Sequence, residues 1–382
     1  MLVTEAKTAG TTPNHASSAL AEADRLMTVC NSCRYCEGLC AVFPAMEMRR
    51  AFADGDLNYL ANLCHSCGAC YVDCQFSPPH AFEVNVPKVL AEVRNQSYAH
   101  YAWPRAFAPL FARNGPAVAL ILMASVALFF FGFMVWNDPA VMFGRQTGEG
   151  VFYRLMPHNA MALLFGAAFL YGLLALGMGV RNFLRDIGEP ATTLASPAHN
   201  AAAAQDALTL RYLDGGGAGC IDEEGKAGKD SRRTFHHLTF YGFMLCFAST
   251  SVATLYHYLL AREAPYPWWD LPVVLGTLGG IGLVIGPIGL MRAKAKRPEI
   301  LRDKTAAGME HAFTTTLFVL GVTGLALLLL RATPAMGTLL AVHLGAVFAF
   351  FITMPYGKFV HGIYRYAALL RYAKERKVMS GA

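Results

Sequence analysis

Six long apolar stretches, at residues 117–136, 159–180, 237–259, 271–291, 312–330 and 338–360, constrain this chain more than any other feature. Each is 19–23 residues long. That is enough to cross a hydrocarbon core about 30 Å thick at ~1.5 Å per residue. The competing reading is a set of buried helices in a large soluble protein. Such helices are usually shorter and keep a polar face, and most of these stretches have none. Composition agrees: 55% of the residues are apolar and only 15% are charged.

The formal charge of +6 follows the spans. With the residues before the first span in the cytoplasm, the inner segments 181–235, 292–311 and 361–382 carry 7, 6 and 5 Lys plus Arg. The outer loops 137–157, 260–270 and 331–337 carry 2, 1 and 1. This bias obeys the positive-inside rule and places both chain ends in the cytoplasm of a multi-pass inner-membrane protein. The basic balance is therefore topology, not a nucleic-acid footprint. Between the second and third spans, residues 188–231 are Ala- and Gly-rich with mixed charge and read as irregular.

Ahead of the spans lies a different kind of sequence. Residues 1–24 are polar, lack the apolar core of a secretion signal, and read as a mobile arm. Residues 25–80 form a compact block holding eight of the ten cysteines. Residues 81–113 read as an amphipathic, interfacial connector, with Val84, Val86, Val89, Leu90 and Val93 between polar positions. Its end, Tyr98-Ala-His-Tyr-Ala-Trp-Pro-Arg105, suits a membrane surface. The membrane domain is expected over 114–364, followed by a basic cytoplasmic tail over 365–382.

Within the block, Cys30-x2-Cys33-x2-Cys36-x3-Cys40 is followed by Cys64-x2-Cys67-x2-Cys70-x3-Cys74. This is the spacing of two-cluster ferredoxins, in which the fourth cysteine of each run ligates the other cluster. One [4Fe–4S] cluster is then expected on Cys30, Cys33, Cys36 and Cys74. The second is expected on Cys64, Cys67, Cys70 and Cys40. Paired zinc sites are the alternative, but they use two C-x2-C pairs rather than quartets with a third cysteine three residues on. Ala41 and Gln75 stand where that pattern has proline, and Pro44 and Pro78 follow later. Cys246 reads as a small packing residue, and Cys220 is a loop thiol of no assigned role.

Ionisable side chains inside spans are costly and usually functional. His343 and His361 are eighteen residues apart, five turns of one helix, which predicts a shared face and about 27 Å of separation. That arrangement would offer one ligand to each of two stacked b-type haems, His343 outer and His361 inner. His257 is the expected outer partner, and His236 or His237 the inner one, phase favouring His236. His158 and His311 are alternates. Taken singly, each histidine also reads as an ordinary interfacial residue.

The run Val342-His343…Met354-Pro-Tyr-Gly-Lys-Phe-Val-His361-Gly-Ile-Tyr-Arg365 resembles the last helix of the nitrate-reductase gamma subunit family, whose dihaem subunits use two histidines at this spacing. The whole chain resembles the TcuB/CitB family of tricarballylate (citrate) utilisation electron-transfer proteins. The residues carrying this are both cysteine quartets, Tyr98–Arg105, Arg232-Arg-Thr-Phe-His-His237, Met309-Glu-His-Ala-Phe313 with Thr323-Gly324, and Pro355–Arg365. The resemblance implies a separate FAD-dependent dehydrogenase that oxidises tricarballylate, whose flavin this protein reoxidises. No G-x-G-x-x-G lies between a strand and a helix, and Gly215-Gly-Gly-Ala-Gly219 sits in a mixed-charge loop, so flavin belongs to another polypeptide.

The expectation is an α-helical membrane protein: a ferredoxin-like domain with two [4Fe–4S] clusters, then six spans holding one or two b haems. It passes electrons from a flavoprotein to quinone and is not itself the substrate dehydrogenase. Rival readings are a stand-alone quinone-linked reductase with its own substrate, and a structural membrane anchor.

Overall fold

A computed structural model describes residues 15–213 and 231–379. Cys220 and Gly215–Gly219 lie outside the described residues. Helix α1 (Ser18–Cys33) starts where the Ser17 hydroxyl accepts from the Leu20 amide, and buries Ala19, Leu20, Ala23, Leu26 and Met27. The arm expected over residues 1–24 therefore gives way to core helix by Ser18. Helices α2 (Val42–Glu47) and α3 (Asp54–Leu63) follow, Asp54 and Asp56 favouring the positive end of the α3 dipole. The short α4 (Ala69–Val72) carries Cys70, and α5 (Val86–Tyr101) starts at Asn85, whose side chain accepts from the Lys88 amide. No strand occurs among the described residues.

Helix α5 is not an interfacial connector. Its Leu90, Val93, Tyr98 and Tyr101 are buried in the same core as α1 and α3. Tyr98 stacks on Tyr364, with ring centroids 5.9 Å apart. The aromatic run suited a membrane surface by composition, but its two most buried rings fill a protein core.

Among the described residues, six helices are long and apolar enough to cross a membrane: α6 (Asn114–Trp136), α7 (His158–Asp186), α9 (Ser231–Leu260), α10 (Leu271–Lys296), α11 (Ala307–Leu330) and α12, whose regular part is Met336–Thr353. Between α7 and α9, residues expected to be irregular form α8 (Pro197–Leu208). Outward-facing apolar side chains are extensive: Val135, Trp136 and Leu163 are 87%, 86% and 76% exposed. Water would not tolerate such a surface, and lipid does.

Helices α9 and α10 approach closely because glycine lines their contact. A Cβ on Gly279 would lie 2.7 Å from both the Cys246 Sγ and the Gly242 carbonyl oxygen. One on Gly282 would lie 2.7 Å from the Leu238 carbonyl oxygen. Small residues spaced one turn apart are the usual means of close helix approach in lipid. Cys246 is thus packed into this seam.

The last span is not one continuous helix. Pro355 has no amide to continue the ladder. A 3₁₀ turn covers Met354–Tyr356 and Gly357 is extended. The Asn114 amide donates to the Tyr356 carbonyl at the break at 2.6 Å, and the Tyr356 hydroxyl anchors the turn to the Trp103 carbonyl at 3.1 Å. Helix α13 (Val360–Met379) then begins afresh. It is no tail, since Ala367, Ala368, Leu369 and Leu370 are buried in the core shared with α3 and α5. The Glu375 carboxylate accepts from Arg49 at 2.6 Å and from Tyr59 at 2.8 Å. The two ends of the described chain therefore pack together on one side of the six-helix bundle.

Candidate functional site

The cysteines gather into two groups. Cys30, Cys33, Cys36 and Cys74 line one small cavity, with Phe43 and Phe76. Cys40, Cys64, Cys67 and Cys70 line another, with Leu63 and Val86. The fourth cysteine of each run thus stands with the first three of the other. Helix α1 supplies Cys30 and Cys33, and the turn at Gly68 (φ +93°), leading into α4, sets Cys67 and Cys70.

Burial opposes ionisation of several of these thiols. Burial, then the neighbouring thiols, push Cys30 and Cys36 up to about 12. Burial pushes Cys67 to about 11 despite the Ala69 amide, and holds Cys40 and Cys70 well above the ordinary range. A bound metal would favour their thiolate form. Among the described residues no three Cys, His, Asp or Glu converge closely enough for a single metal ion. Four thiols around each cavity are the donor set that an iron–sulfur group takes.

Beside the second cysteine group, a cavity of about 860 Å³ opens between α9, α11 and α13. His236 of α9 and His361 of α13 face each other across it, ring centroids 6.2 Å apart and planes at 76°. With metal–nitrogen bonds of about 2 Å and each ring centre roughly 1 Å behind its nitrogen, two imidazoles on opposite sides of one iron stand about 6 Å apart. The His361 Nδ1 donates to the Lys358 carbonyl, leaving Nε2 free, which is how metal-bound histidines are usually oriented. Among the described residues, the buried His236 Nδ1 has no hydrogen-bond partner. Among the described residues the wall carries Lys294, Lys296, Lys358 and Arg365 with the carboxylate Glu310, a net basic lining that suits an anionic occupant such as a porphyrin with two propionates. Glu310 is held by Lys294 at 2.6 Å and Lys358 at 2.9 Å.

The other histidines are placed differently. His237 is bonded to the Leu208 carbonyl at 3.1 Å, and His311 to the Ala307 carbonyl at 2.7 Å; neither ring faces a second imidazole in the described contacts. His257 lies ring on ring with His158, centroids 3.5 Å apart and planes at 20°, too close to admit an iron between them. His343 Nδ1 meets the Thr323 hydroxyl at 2.9 Å, while that hydroxyl donates to the Val319 carbonyl. The expected outer pair, His343 with His257, is not brought together. The shared-face argument for His343 and His361 also fails, because the break at Pro355–Gly357 puts them on separate helices.

Family comparisons give a concordant partition. The Citrate utilization protein B Fer4-like domain matches residues 23–100, and the Citrate utilization protein B model matches residues 112–382. The chain belongs to the Citrate utilization protein B family. It is 50% identical over 358 residues to Citrate utilization protein B of Escherichia coli, covering 94% of this chain and 93% of that one. No solved structure matches it. The Fer4-like match contains all eight clustered cysteines and assigns an iron–sulfur role to this domain.

Sequence reasoning passed over the groups that join the two cavities. His65, inside the second cysteine run, lines both. Burial, then Arg365 and His236, push its imidazole well below the ordinary value. The backbone of Cys64–Cys67 is gripped by arginines. Arg94 donates to the Cys64 carbonyl at 2.5 Å, Arg297 to that of Ser66 at 2.5 Å, Arg365 to that of Cys64 at 2.8 Å and Arg232 to that of Cys67 at 3.4 Å. These contacts span up to 301 residues of sequence.

Proposed function

We propose that this protein is a membrane-bound electron carrier that reoxidises the reduced flavin of a separate FAD-dependent dehydrogenase and delivers the electrons to quinone. The tricarballylate or citrate utilisation context comes from the family. The observation that carries the reading is the adjacency of the two cysteine-lined cavities and the His236–His361 pair, with the second cysteine group sharing His65 with the imidazole-lined cavity.

In this reading Cys30, Cys33, Cys36 and Cys74 hold one [4Fe–4S] cluster, Cys40, Cys64, Cys67 and Cys70 hold the other, and His236 and His361 hold one b haem. Bound iron–sulfur clusters and haem supply one-electron carriers. The chain's own residues do the rest. Burial by Phe43, Phe76, Leu63 and Val86 keeps water from the thiolates. The Lys358 carbonyl fixes the His361 tautomer, and the basic wall neutralises propionate charge. The absence of a dinucleotide fingerprint supports placing the flavin on the partner. The positive-inside bias supports a cytoplasmic cysteine domain and C-terminus in the inner membrane.

Iron, acid-labile sulfide and pyridine-haemochrome determinations on the purified full-length protein test this. About eight non-haem irons and one b haem per chain are expected. Zinc in place of iron, or haem-free preparations from haem-sufficient cells, would overturn it.

A further inference from the structure

Two of the arginines on the Cys64–Cys67 loop stand in a repeated relation to the two facing histidines. Arg365 is four residues after His361 on α13, and Arg232 is four residues before His236 on α9. Four residues are about one helical turn, so each arginine shares a face with its histidine. Arg365 donates to the Cys64 carbonyl and Arg232 to the Cys67 carbonyl. The two helices that present imidazoles into the large cavity thus grip opposite ends of the loop that carries two cysteines of the second group. Arg365 also donates to the Asn62 carbonyl at 3.3 Å, so its fork spans the entry to the loop. His65 lies between these grips and faces both cavities.

The geometry points to a clamp: Arg232 and Arg365 are positioning residues that hold the second cysteine-bound centre and the His236–His361 iron at one fixed separation, making the Cys64–Cys67 loop the electron exit of the cysteine domain. This rests on the reading that His236 and His361 hold a haem. The step is a single electron transfer. With both groups bound, the centre held by Cys40, Cys64, Cys67 and Cys70 would give up one electron and the iron held by His236 and His361 would take it. No bond forms or breaks and no proton moves. The electron originates from the partner's reduced flavin.

Two features of the chain favour rigid coupling. A planar guanidinium offers several donors in a fixed fork, so it sets distance and angle together, whereas a lysine would set only a point charge. The loop is also held in a specific shape, with Ser66 at φ +50° and its amide donating to the Cys64 Sγ at 3.3 Å. A loop in that conformation does not follow its anchors passively.

The test uses the full-length protein with Arg365→Gln, Arg232→Gln and Arg365→Lys. Haem and iron are quantified first. The rate of haem reduction by photoreduced deazaflavin is then measured, with Cys67→Ser giving the component that bypasses the second centre. EPR titration gives the midpoint potentials of both iron–sulfur centres. Measured per bound haem, both Gln variants are expected to keep their iron yet reduce haem several-fold more slowly, since electron transfer falls off steeply with the separation of its two centres. Arg365→Gln also moves the second centre's potential negative and leaves the first unmoved, because a nearby buried cation is lost. Arg365→Lys keeps that potential but recovers only part of the rate. Wild-type rates per bound haem in both Gln variants, or loss of iron from either, would overturn the clamp. A wild type without haem would instead remove the reading beneath it.

Discussion

The imidazoles of His236 and His361 face each other across 6.2 Å, although 125 residues separate them in the chain. Their helices are held in place by other features: α9 by its glycine seam with α10, and α13 by burial in the core of the cysteine domain. Removing either ring should therefore remove the haem. His236→Ala and His361→Ala are expected to lose it almost completely by pyridine haemochrome, while His237→Ala keeps most of it. Retention in His361→Ala with loss in His237→Ala would reverse the ligand assignment.

The cysteine grouping predicts a crossed effect. Cys40→Ser should disturb the centre on Cys64, Cys67 and Cys70, and Cys74→Ser the centre on Cys30, Cys33 and Cys36. EPR of the reduced variants separates them. Damage by Cys40→Ser confined to the centre on Cys30, Cys33 and Cys36 would contradict the pairing.

The seam between α9 and α10 predicts intolerance of bulk. Gly279→Val places new atoms against Cys246 and the Gly242 carbonyl, and overpacking of this kind costs about 1–3 kcal/mol. Less folded protein by fluorescence-detected size exclusion is expected, with haem content falling in step because α9 carries His236. Cys246→Ala should be far milder.

How much of this was legible in the sequence depended on how local each feature is. The cysteine quartets are short-range patterns, and their spacing alone anticipated which thiols share a cavity. The spans were legible because lipid demands an apolar surface along the whole helix. The phase argument linking His343 to His361 assumed an unbroken helix, yet Pro355 and Gly357 lie within it and end the ladder there. The basic tail was misjudged because Arg365 and Arg371 look solvated in sequence. Arg365 donates to the Asn62 and Cys64 carbonyls at the entry to the second cysteine run, and Arg371 to Glu375 at 2.9 Å. Arginine-to-carbonyl contacts leave no periodic trace.

An acid-side prediction concerns the start of α1. His15 bonds to Asp54 at 2.6 Å and lies 3.3 Å from Asp24. Burial lowers its pKa, but these carboxylates outweigh burial and leave it raised above 6.5. A raised folded-state pKa contributes stability that is complete below 6.5 and is lost as pH rises through the folded value. His15→Ala should lower the apparent Tm by roughly 1–3 °C near pH 5.5, and the gap should shrink near pH 8.5. A gap that widened with pH would contradict the pairing.

Topology has a direct check. Helix α13 packs on the cysteine domain, so both must lie on one side of the membrane. Reporter fusions are expected to be cytoplasmic-active after residue 379 and periplasmic-active near Arg262. The opposite pattern would reverse the proposed electron path.

The central claim is that electrons from a flavoprotein enter at the cysteine domain and reach haem held by His236 and His361. The most direct measurement is a reduced-minus-oxidised optical spectrum of the full-length protein, taken after adding the partner dehydrogenase and its substrate. The account predicts a b-type α band that appears with the wild type, is absent in His361→Ala, and fails to develop at the wild-type rate in Cys67→Ser. A wild-type spectrum with bleaching of the iron–sulfur absorbance but no b-type band, at any time after mixing, would contradict it.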